Sequence, residues 1–164
     1  MFKLREATGS DLEAIREINE AAIPAVNTVS IEEFLWFFER GLYFKVSIDE
    51  KEQVCGFLLV LPTGLNYESL NYRWFSKNFS DFAYIDRIAI KKEFRGHGIG
   101  KSLYLDLEQY VEKSIKRIAC EFNIKPENKI SKKRSILTSS DLSICQFLYE
   151  QTLVTNQNLS LIHI

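Results

Sequence analysis

Cysteine and histidine are scarce in this sequence, and their spacing excludes two common kinds of site. The three cysteines, Cys55, Cys120 and Cys145, are odd in number and form no C-x-x-C pair, which argues against a disulfide framework and a zinc site. The two histidines, His97 and His163, are too few and too scattered for a metal cluster. We therefore expect no bound metal and a reducing, cytoplasmic setting.

The sequence also lacks an excess of one charge and a long apolar run. The formal net charge is -1, and no uninterrupted apolar stretch is long enough to span a bilayer. The first residues, Met-Phe-Lys-Leu-Arg-Glu, lack the apolar segment of a secretory signal. We expect neither nucleic acid nor a membrane as a partner. Basic residues do crowd between positions 113 and 134, which suits either a solvated face or a phosphate-binding patch.

What the sequence does contain is the composition and patterning of one globular domain over residues 1–164. Hydrophobic residues make up 46% and charged residues 26%, which argues against disorder. Period-two alternation and apolar runs predict strands at 2–6, 42–48, 53–61, 82–90, 117–124 and 159–164. Helical spacing and capping residues predict helices at 10–20, 31–40, 98–115 and 140–150. Residues 65–81 are left as a long aromatic loop, and 82–124 form a βαβ unit with two parallel strands.

Residues 95–101, Arg-Gly-His-Gly-Ile-Gly-Lys, lie between a predicted strand and a predicted helix. Glycines let the backbone turn tightly and approach a ligand, and the helix start adds free N–H donors, so this loop can hold a phosphate. The P-loop pattern fails because its first glycine falls on Arg95, and the dinucleotide pattern fails because its third glycine falls on Lys101. A tight turn without any ligand remains an alternative.

A third pattern, R-x-x-G-x-G, fits residues 95–100 and resembles the pyrophosphate loop of the GNAT superfamily of acetyl-CoA-dependent N-acetyltransferases. The resemblance covers residues 2–130: one strand, two helices and a hairpin precede a block from Tyr84 to Lys101 that is similar to that family's strand, loop and helix start. It implies an α/β (α+β) GNAT fold, with a mixed sheet of about six strands, about four helices, and splayed parallel strands four and five.

The resemblance further implies that acetyl-CoA is the acetyl donor. The loop amides would hold its pyrophosphate, and its pantetheine arm would run beside strand four in the gap between the splayed strands. The residues implied to bind it are Ile88, Ala89, Ile90, Arg95, Gly96, His97, Gly98, Ile99, Gly100, Lys101 and Asn123. Asn123 equally suits a turn at a strand end, and Lys101 equally suits a solvent-facing helix position.

Two residues are candidates for the proton transfers that such a reaction needs. Asp86 is the nearest carboxylate on strand four, where strand alternation puts it on one face with Tyr84 and Ile88. It could serve as the base, or it could form a structural ion pair with a basic neighbour. Tyr149 resembles the tyrosine that protonates the leaving thiolate in this family, although the Gly-Phe pair that usually follows it is Leu-Val here.

The acceptor would be a primary amine of a small molecule or a peptide, and the residues do not specify which; whether the chain forms a homodimer is also open. The acceptor site is expected beside the first two helices and the 65–81 loop, lined by Asn27, Trp36 and Tyr72, although core packing is the simpler role for helix aromatics. The resemblance stops after Lys133, and residues 134–164 form an atypical tail, which suggests a frameshift or truncation. A non-catalytic, degenerate acetyl-CoA-binding protein is therefore the alternative function.

Overall fold

One mixed sheet runs through the protein, and its strands are ordered as they occur in the chain. The computed structural model describes residues 1–111, 115–123, 143–149 and 161–162. Within these residues the sheet has seven strands: β1 (Lys3–Glu6), β2 (Tyr43–Ile48), β3 (Val54–Leu61), β4 (Ala83–Ile90), β5 (Arg117–Asn123), β6 (Ser143–Tyr149) and β7 (Leu161–Ile162). The first four strands pair antiparallel, β4 to β6 pair parallel, and β7 returns antiparallel. The predicted hairpin and the parallel β4–β5 pair are both present.

Helices cover both faces of the sheet. The described residues contain four: α1 (Leu12–Glu20), α2 (Ile31–Arg40), α3 (Leu70–Asn78) and α4 (Ile99–Val111). The first three pack on one face over a cluster that includes Ile15, Phe34 and Phe75, while α4 packs on the other through Leu103 and Leu107. All eight residues of β3 are buried because both faces of this strand are covered. None of these helices combines the length and the apolar character that a bilayer crossing needs.

The helix starts follow the capping residues in the sequence. Ser30 accepts a hydrogen bond from the backbone N–H of Glu33, and the Glu33 carboxylate accepts one from the N–H of Ser30, so α2 begins with the predicted capping box. Before α1, the Asp11 carboxylate accepts hydrogen bonds from both the N–H and the hydroxyl of Thr8. These local bonds fix where the chain enters the two helices that lie beside β4.

The predicted loop at 65–81 is wrong in part, because it contains α3. Ser69 caps this helix by accepting a hydrogen bond from the N–H of Tyr72. Tyr72 and Phe75 are buried three positions apart, which is the spacing of one helix face. The aromatic residues that made the segment look irregular are therefore the core-facing side of a short helix.

The predicted helix at 140–150 is also wrong. Residues 143–149, Ser-Ile-Cys-Gln-Phe-Leu-Tyr, form β6, which pairs in parallel with β5 over seven positions. Isoleucine, phenylalanine and tyrosine favour strands, and the ladder with β5 supplies hydrogen bonds that outweigh the capping signal at Ser139 to Asp141. The last predicted strand, at 159–164, is present as the two residues of β7.

Candidate active site

The parallel ladder between β4 and β5 ends partway along both strands. Residues 83–85 pair with residues 118–120, but β4 continues to Ile90 and β5 continues to Asn123. Beyond Ile85, therefore, β4 keeps β3 as its neighbour on one side and has no ladder to β5 on the other. This is the predicted splay, and it leaves one edge of β4 with strand positions that no other strand in the described part of the chain pairs.

A β-bulge lies where the two strands part. Leu59 of β3 stands opposite Arg87 and Val60 stands opposite Ile85, so Asp86 is an extra residue in β4. An extra residue reverses the alternation of side chains after it. Asp86 shares its face with Tyr84, as predicted, but Ile88 packs into the α4 cluster on the opposite face, so that part of the prediction is wrong.

The Asp86 carboxylate is buried and fully engaged. Its Oδ2 accepts a hydrogen bond from Nε of Arg87 at 2.7 Å, and its Oδ1 accepts one from the Tyr67 hydroxyl at 2.7 Å. The Asp86 side chain is 4% exposed, yet the residue as a whole is partly exposed, so the accessible atoms belong to the bulged backbone. The structural ion pair that the sequence left open is thus present, and a catalytic role for Asp86 stays a prediction.

Burial and the neighbouring carboxylate act together on Tyr67. Burial is the larger cause and Asp86 the next, and both raise the pKa of the Tyr67 phenol well above its usual range. The hydroxyl therefore stays protonated at all physiological pH values. It acts as a hydrogen-bond donor to Asp86 and cannot serve as a base.

The glycine loop joins β4 to α4 in the conformation that its sequence predicts. After a turn of 3-10 helix at Lys92–Phe94, Gly96 has φ 85° and Gly98 has φ 82°, both in the left-handed region that favours glycine. Helix α4 starts at Ile99, and the N–H groups of a first helical turn have no partners inside the helix. Residues 95–98 are exposed. The loop thus presents backbone donors and a helix N-terminus to solvent, which suits an anion.

Two side chains of the loop brace its backbone. Nε of Arg95 donates to the carbonyl oxygen of Ile90 at 3.1 Å, and Nδ1 of His97 lies 3.1 Å from the carbonyl oxygen of Arg95. His97 also contacts Phe2 edge-on, at 6.0 Å between ring centroids. These contacts give His97 a structural part in the loop, and its contact with acetyl-CoA stays a prediction.

The structure brings most of the predicted cofactor residues together. Ile88, Ala89 and Ile90 follow the point where the ladder ends, and they lead through the 3-10 turn into the glycine loop and Lys101. Asn123 ends β5, and its register partner is Tyr149 on β6. Two candidates that are far apart in the sequence are therefore neighbours in the sheet.

The predicted acceptor residues differ in exposure. Asn27 is exposed, and its Oδ1 accepts a hydrogen bond from Nη2 of Arg87 at 3.4 Å. Trp36 is partly buried and stacks on Tyr67 at 6.0 Å between ring centroids. Tyr72 is 1% exposed, and its hydroxyl bonds to the backbone of residues 62 and 65, so its packing favours a core role. Contact of any of the three with an acceptor stays a prediction.

Three residues that form the hydrogen-bond network around Asp86 are not among those predicted from the sequence: Asn19, Tyr67 and Arg87. Asn19 is fully buried on α1, and its Oδ1 accepts a hydrogen bond from Nη1 of Arg87 at 3.0 Å. A signal existed, because Asn19 follows Leu12 and Ile15 at core-facing helical spacing, where a polar residue is unusual. Asp86 and Arg87 stand together between apolar residues of β4, which is a similar signal.

Comparison with known proteins now identifies the family. The chain belongs to the GNAT family of acetyltransferases: a sequence profile of the acetyltransferase (GNAT) family matches residues 12–133. The match includes α1, the bulge, the glycine loop and β5. No curated protein sequence matches the chain.

Solved structures give the same fold. The chain is similar to an aminoglycoside 6'-N-acetyltransferase from Acinetobacter baumannii at a TM-score of 0.63 and 13% identity, covering 98% of this chain and 100% of that one. It is similar to glucosamine-6-phosphate N-acetyltransferase from Arabidopsis thaliana at a TM-score of 0.60 and 15% identity, covering 96% and 98%. Ard1 from Thermoplasma volcanium gives 0.62 at 17% identity, covering 84% of each chain. At these identities the likeness establishes the fold alone.

Proposed function

We propose that the protein is an acyl-CoA-dependent N-acetyltransferase that moves an acetyl group from acetyl-CoA to a primary amine. One observation carries the proposal: the open edge of β4, from Asp86 to Ile90, leads through one 3-10 turn into the glycine loop and the N-terminus of α4. Coenzyme A combines a peptide-like arm with a pyrophosphate. The edge of β4 would take the arm and the glycine loop would take the pyrophosphate, in the order in which the two groups are joined.

The pyrophosphate would lie on the glycine loop. Backbone amides of residues 96–101 and the positive end of the α4 dipole favour a doubly charged anion. The exposed Arg95 and Lys101 add positive charge on either side of the glycines. A Cβ on Gly96 or Gly98 would meet no neighbouring atom, so the glycines are required for conformation and leave the space above the loop open.

The pantetheine arm would add to β4 as a short strand. Its two amide groups can bond those backbone groups of the Ile88–Ile90 stretch that point to the edge that β5 leaves unpaired. Asn123, at the end of β5, borders the same gap. This placement brings the thioester toward the bulge at Asp86, where backbone atoms are exposed.

At the bulge, the amine nitrogen of the acceptor would attack the thioester carbonyl carbon. The N–C bond forms, the C–S bond breaks, the amine loses one proton, and the coenzyme A thiolate takes one up. A backbone N–H of β4 would stabilise the negative charge that develops on the carbonyl oxygen. Tyr149 is proposed as the donor to the thiolate, supported by the register of its backbone with Asn123. Asn27 and Trp36, beside the bulge, are proposed to contact the acceptor.

Binding is tested by the thermal shift of the whole chain with acetyl-CoA, CoA or ATP. At one hundred times the dissociation constant a ligand stabilises by about 2.7 kcal/mol, so acetyl-CoA should raise Tm by roughly 5–10 °C. ATP should have little effect, because the loop fails the P-loop pattern. Stabilisation by ATP with no effect of either coenzyme would overturn the proposal.

Turnover is tested by release of free CoA with four amines: spermidine, glucosamine, neamine and a peptide with a free N-terminus. Release that depends on one of these amines, together with an acetylated product of the expected mass, supports the enzyme. Stabilisation by acetyl-CoA without release would favour the non-catalytic alternative.

A further inference from the structure

Three separate segments converge on two adjacent residues at the β4 bulge. Helix α1 reaches Arg87 through the buried Asn19, at 3.0 Å. The segment between α1 and α2 reaches Arg87 through Asn27, at 3.4 Å. The segment between β3 and α3 reaches Asp86 through the Tyr67 hydroxyl, at 2.7 Å. The ion pair between Asp86 and Arg87, at 2.7 Å, joins all three.

This arrangement is costly to build, which argues for a specific role. The Asp86 and Arg87 side chains are only 4% and 3% exposed, and burying a charge pair gains little stability over apolar residues of the same size. The Arg87 Cζ also lies over two aromatic rings, 5.8 Å from the centre of Phe34 and 5.4 Å from that of Phe37, which adds cation–π contacts to its hydrogen bonds. The side chains of Asp86 and Arg87 therefore have little freedom to move, and the pair holds the residues that it contacts in fixed positions.

The bulge explains how the pair can form. Successive residues of a regular strand point to opposite faces, but the extra residue puts Asp86 and Arg87 on the same face. The same bulge exposes the backbone of Asp86 at the edge where β4 and β5 part. The buried side chains hold the neighbouring segments, and the exposed backbone lies where the reacting carbonyl is proposed to sit.

We propose that Asp86 and Arg87 are positioning residues that hold the Asn27 and Tyr67 segments in register with the bulged backbone. The Asn27 and Tyr67 segments would form two walls of the acceptor site, and the pair would set their distance from the thioester. That these two segments line an acceptor site rests on the proposed function. The coupling between the two segments is a physical property of the fold, and it can be measured without any acceptor.

Hydrogen exchange of the full chain tests the coupling. Tyr67→Phe removes one hydroxyl and keeps the ring that packs on Trp36 and Phe37. We expect several-fold faster exchange in residues 21–29, which the hydroxyl reaches through Asp86 and Arg87, and unchanged exchange in α4. Asn27→Ala should in turn speed exchange in residues 62–69. Faster exchange confined to the mutated segment in both variants would overturn the proposal.

Two control variants match these changes. Tyr110→Phe removes a hydroxyl from a half-exposed tyrosine on α4, on the opposite face of the sheet. Thr28→Ala removes a hydroxyl next to Asn27 that donates to Glu20 and not to β4. Neither should change exchange in the partner segment. An effect of either control as large as that of its matched variant would also overturn the coupling.

Kinetics then connect the coupling to acceptor binding. With whichever of the four amines the wild type acetylates, Tyr67→Phe should lower kcat/KM for the amine roughly ten- to hundredfold, because small misplacements are costly in an oriented reaction. Its affinity for acetyl-CoA by calorimetry should stay within about twofold. Equal losses for amine and acetyl-CoA would contradict a positioning role. If the wild type acetylates none of the amines, the proposed function fails and the exchange result still stands on its own.

Discussion

Gly56 of β3 lies directly opposite Ile90 of β4, with no room between them for a side chain. A Cβ on Gly56 would overlap Cδ1 of Ile90 and stand 2.9 Å from the carbonyl oxygen of Ala89. Ala89 and Ile90 belong to the strand edge proposed to bind the pantetheine arm. The glycine therefore allows β3 to pack closely against these residues of β4. The strand does so on the side opposite the proposed binding edge, and it fixes the position of that edge.

Gly56→Ala should distort this edge. The added methyl group overpacks a buried position, which destabilises by about 1–3 kcal/mol. Chemical denaturation measures that loss, and calorimetry should show weaker binding of acetyl-CoA. Gly9→Ala is the control, because a Cβ at Gly9 meets no atom within 4 Å and its stability and binding should stay the same. Wild-type affinity in Gly56→Ala would show that this edge does not contact the ligand.

Gly96→Ala and Gly98→Ala should weaken acetyl-CoA binding more than they affect stability. Both positions have φ above 80°, where an alanine costs about 1–2 kcal/mol. In the free protein an exposed loop can relax by changing its backbone conformation, so the free energy of unfolding changes little. The bound state needs the loop amides in place, so the substitution mainly weakens binding. The measurement is the dissociation constant for acetyl-CoA beside the melting temperature. A lower melting temperature with an unchanged dissociation constant would argue against a phosphate loop here.

Asp86→Asn should act mainly on the fold. Removing one member of a buried ion pair leaves the Arg87 charge uncompensated, which costs about 3–5 kcal/mol. Because both carboxylate oxygens already bind Arg87 and Tyr67, we expect the pH profile of kcat/KM to keep its acidic limb at a lower overall rate. Loss of that limb in the variant would instead assign the general base to Asp86.

Acid should weaken the start of α1 in a defined pH window. Hydrogen bonds from Arg5 are the main cause that lowers the pKa of Asp11 from 3.8 to about 2. A carboxyl group with a lowered pKa stabilises the fold fully above its unfolded pKa and loses this effect as the pH falls through its folded value. The free energy of unfolding should therefore fall between about pH 4 and pH 2.

Asp11→Asn tests this assignment. The amide still accepts a hydrogen bond from Thr8 but loses the charge that pairs with Arg5, which is 36% exposed, so the loss at neutral pH should be about 0.5–2 kcal/mol, the range for a helix cap. The variant should also show a shallower fall in stability below pH 4. An equally steep fall in the variant would assign the acid sensitivity to other carboxylates.

The parts of the site that follow local rules could be predicted from the sequence. Glycines with positive φ at 96 and 98, the capping box at Ser30 and Glu33, and the parallel pair β4–β5 depend on short-range chemistry and simple periodicity. The family resemblance rested on the same stretch. These features place a glycine loop beside a strand edge, and they are the ones that the structure confirms; phosphate binding there stays a prediction.

The features that were missed depend on long-range contacts. A bulge has no composition of its own, so the reversal of side-chain faces after Asp86 could not be read from the strand pattern. The Arg87 network joins residues that are about sixty or more positions apart in sequence. Helix-capping residues precede the segment at 143–149, which itself carries strand-forming residues, and only pairing with β5 decides between helix and strand.

The splay of β4 from β5 also bears on how the protein behaves at high concentration. A strand edge that no strand of the described residues pairs is a template on which another chain can build, and this one carries the apolar Ile88 and Ile90. A ligand that lies along the edge would occupy the same hydrogen-bonding groups. Acetyl-CoA, which is proposed to lie there, would then protect the protein against self-association, and the solubility of the protein should rise with the fraction that has acetyl-CoA bound.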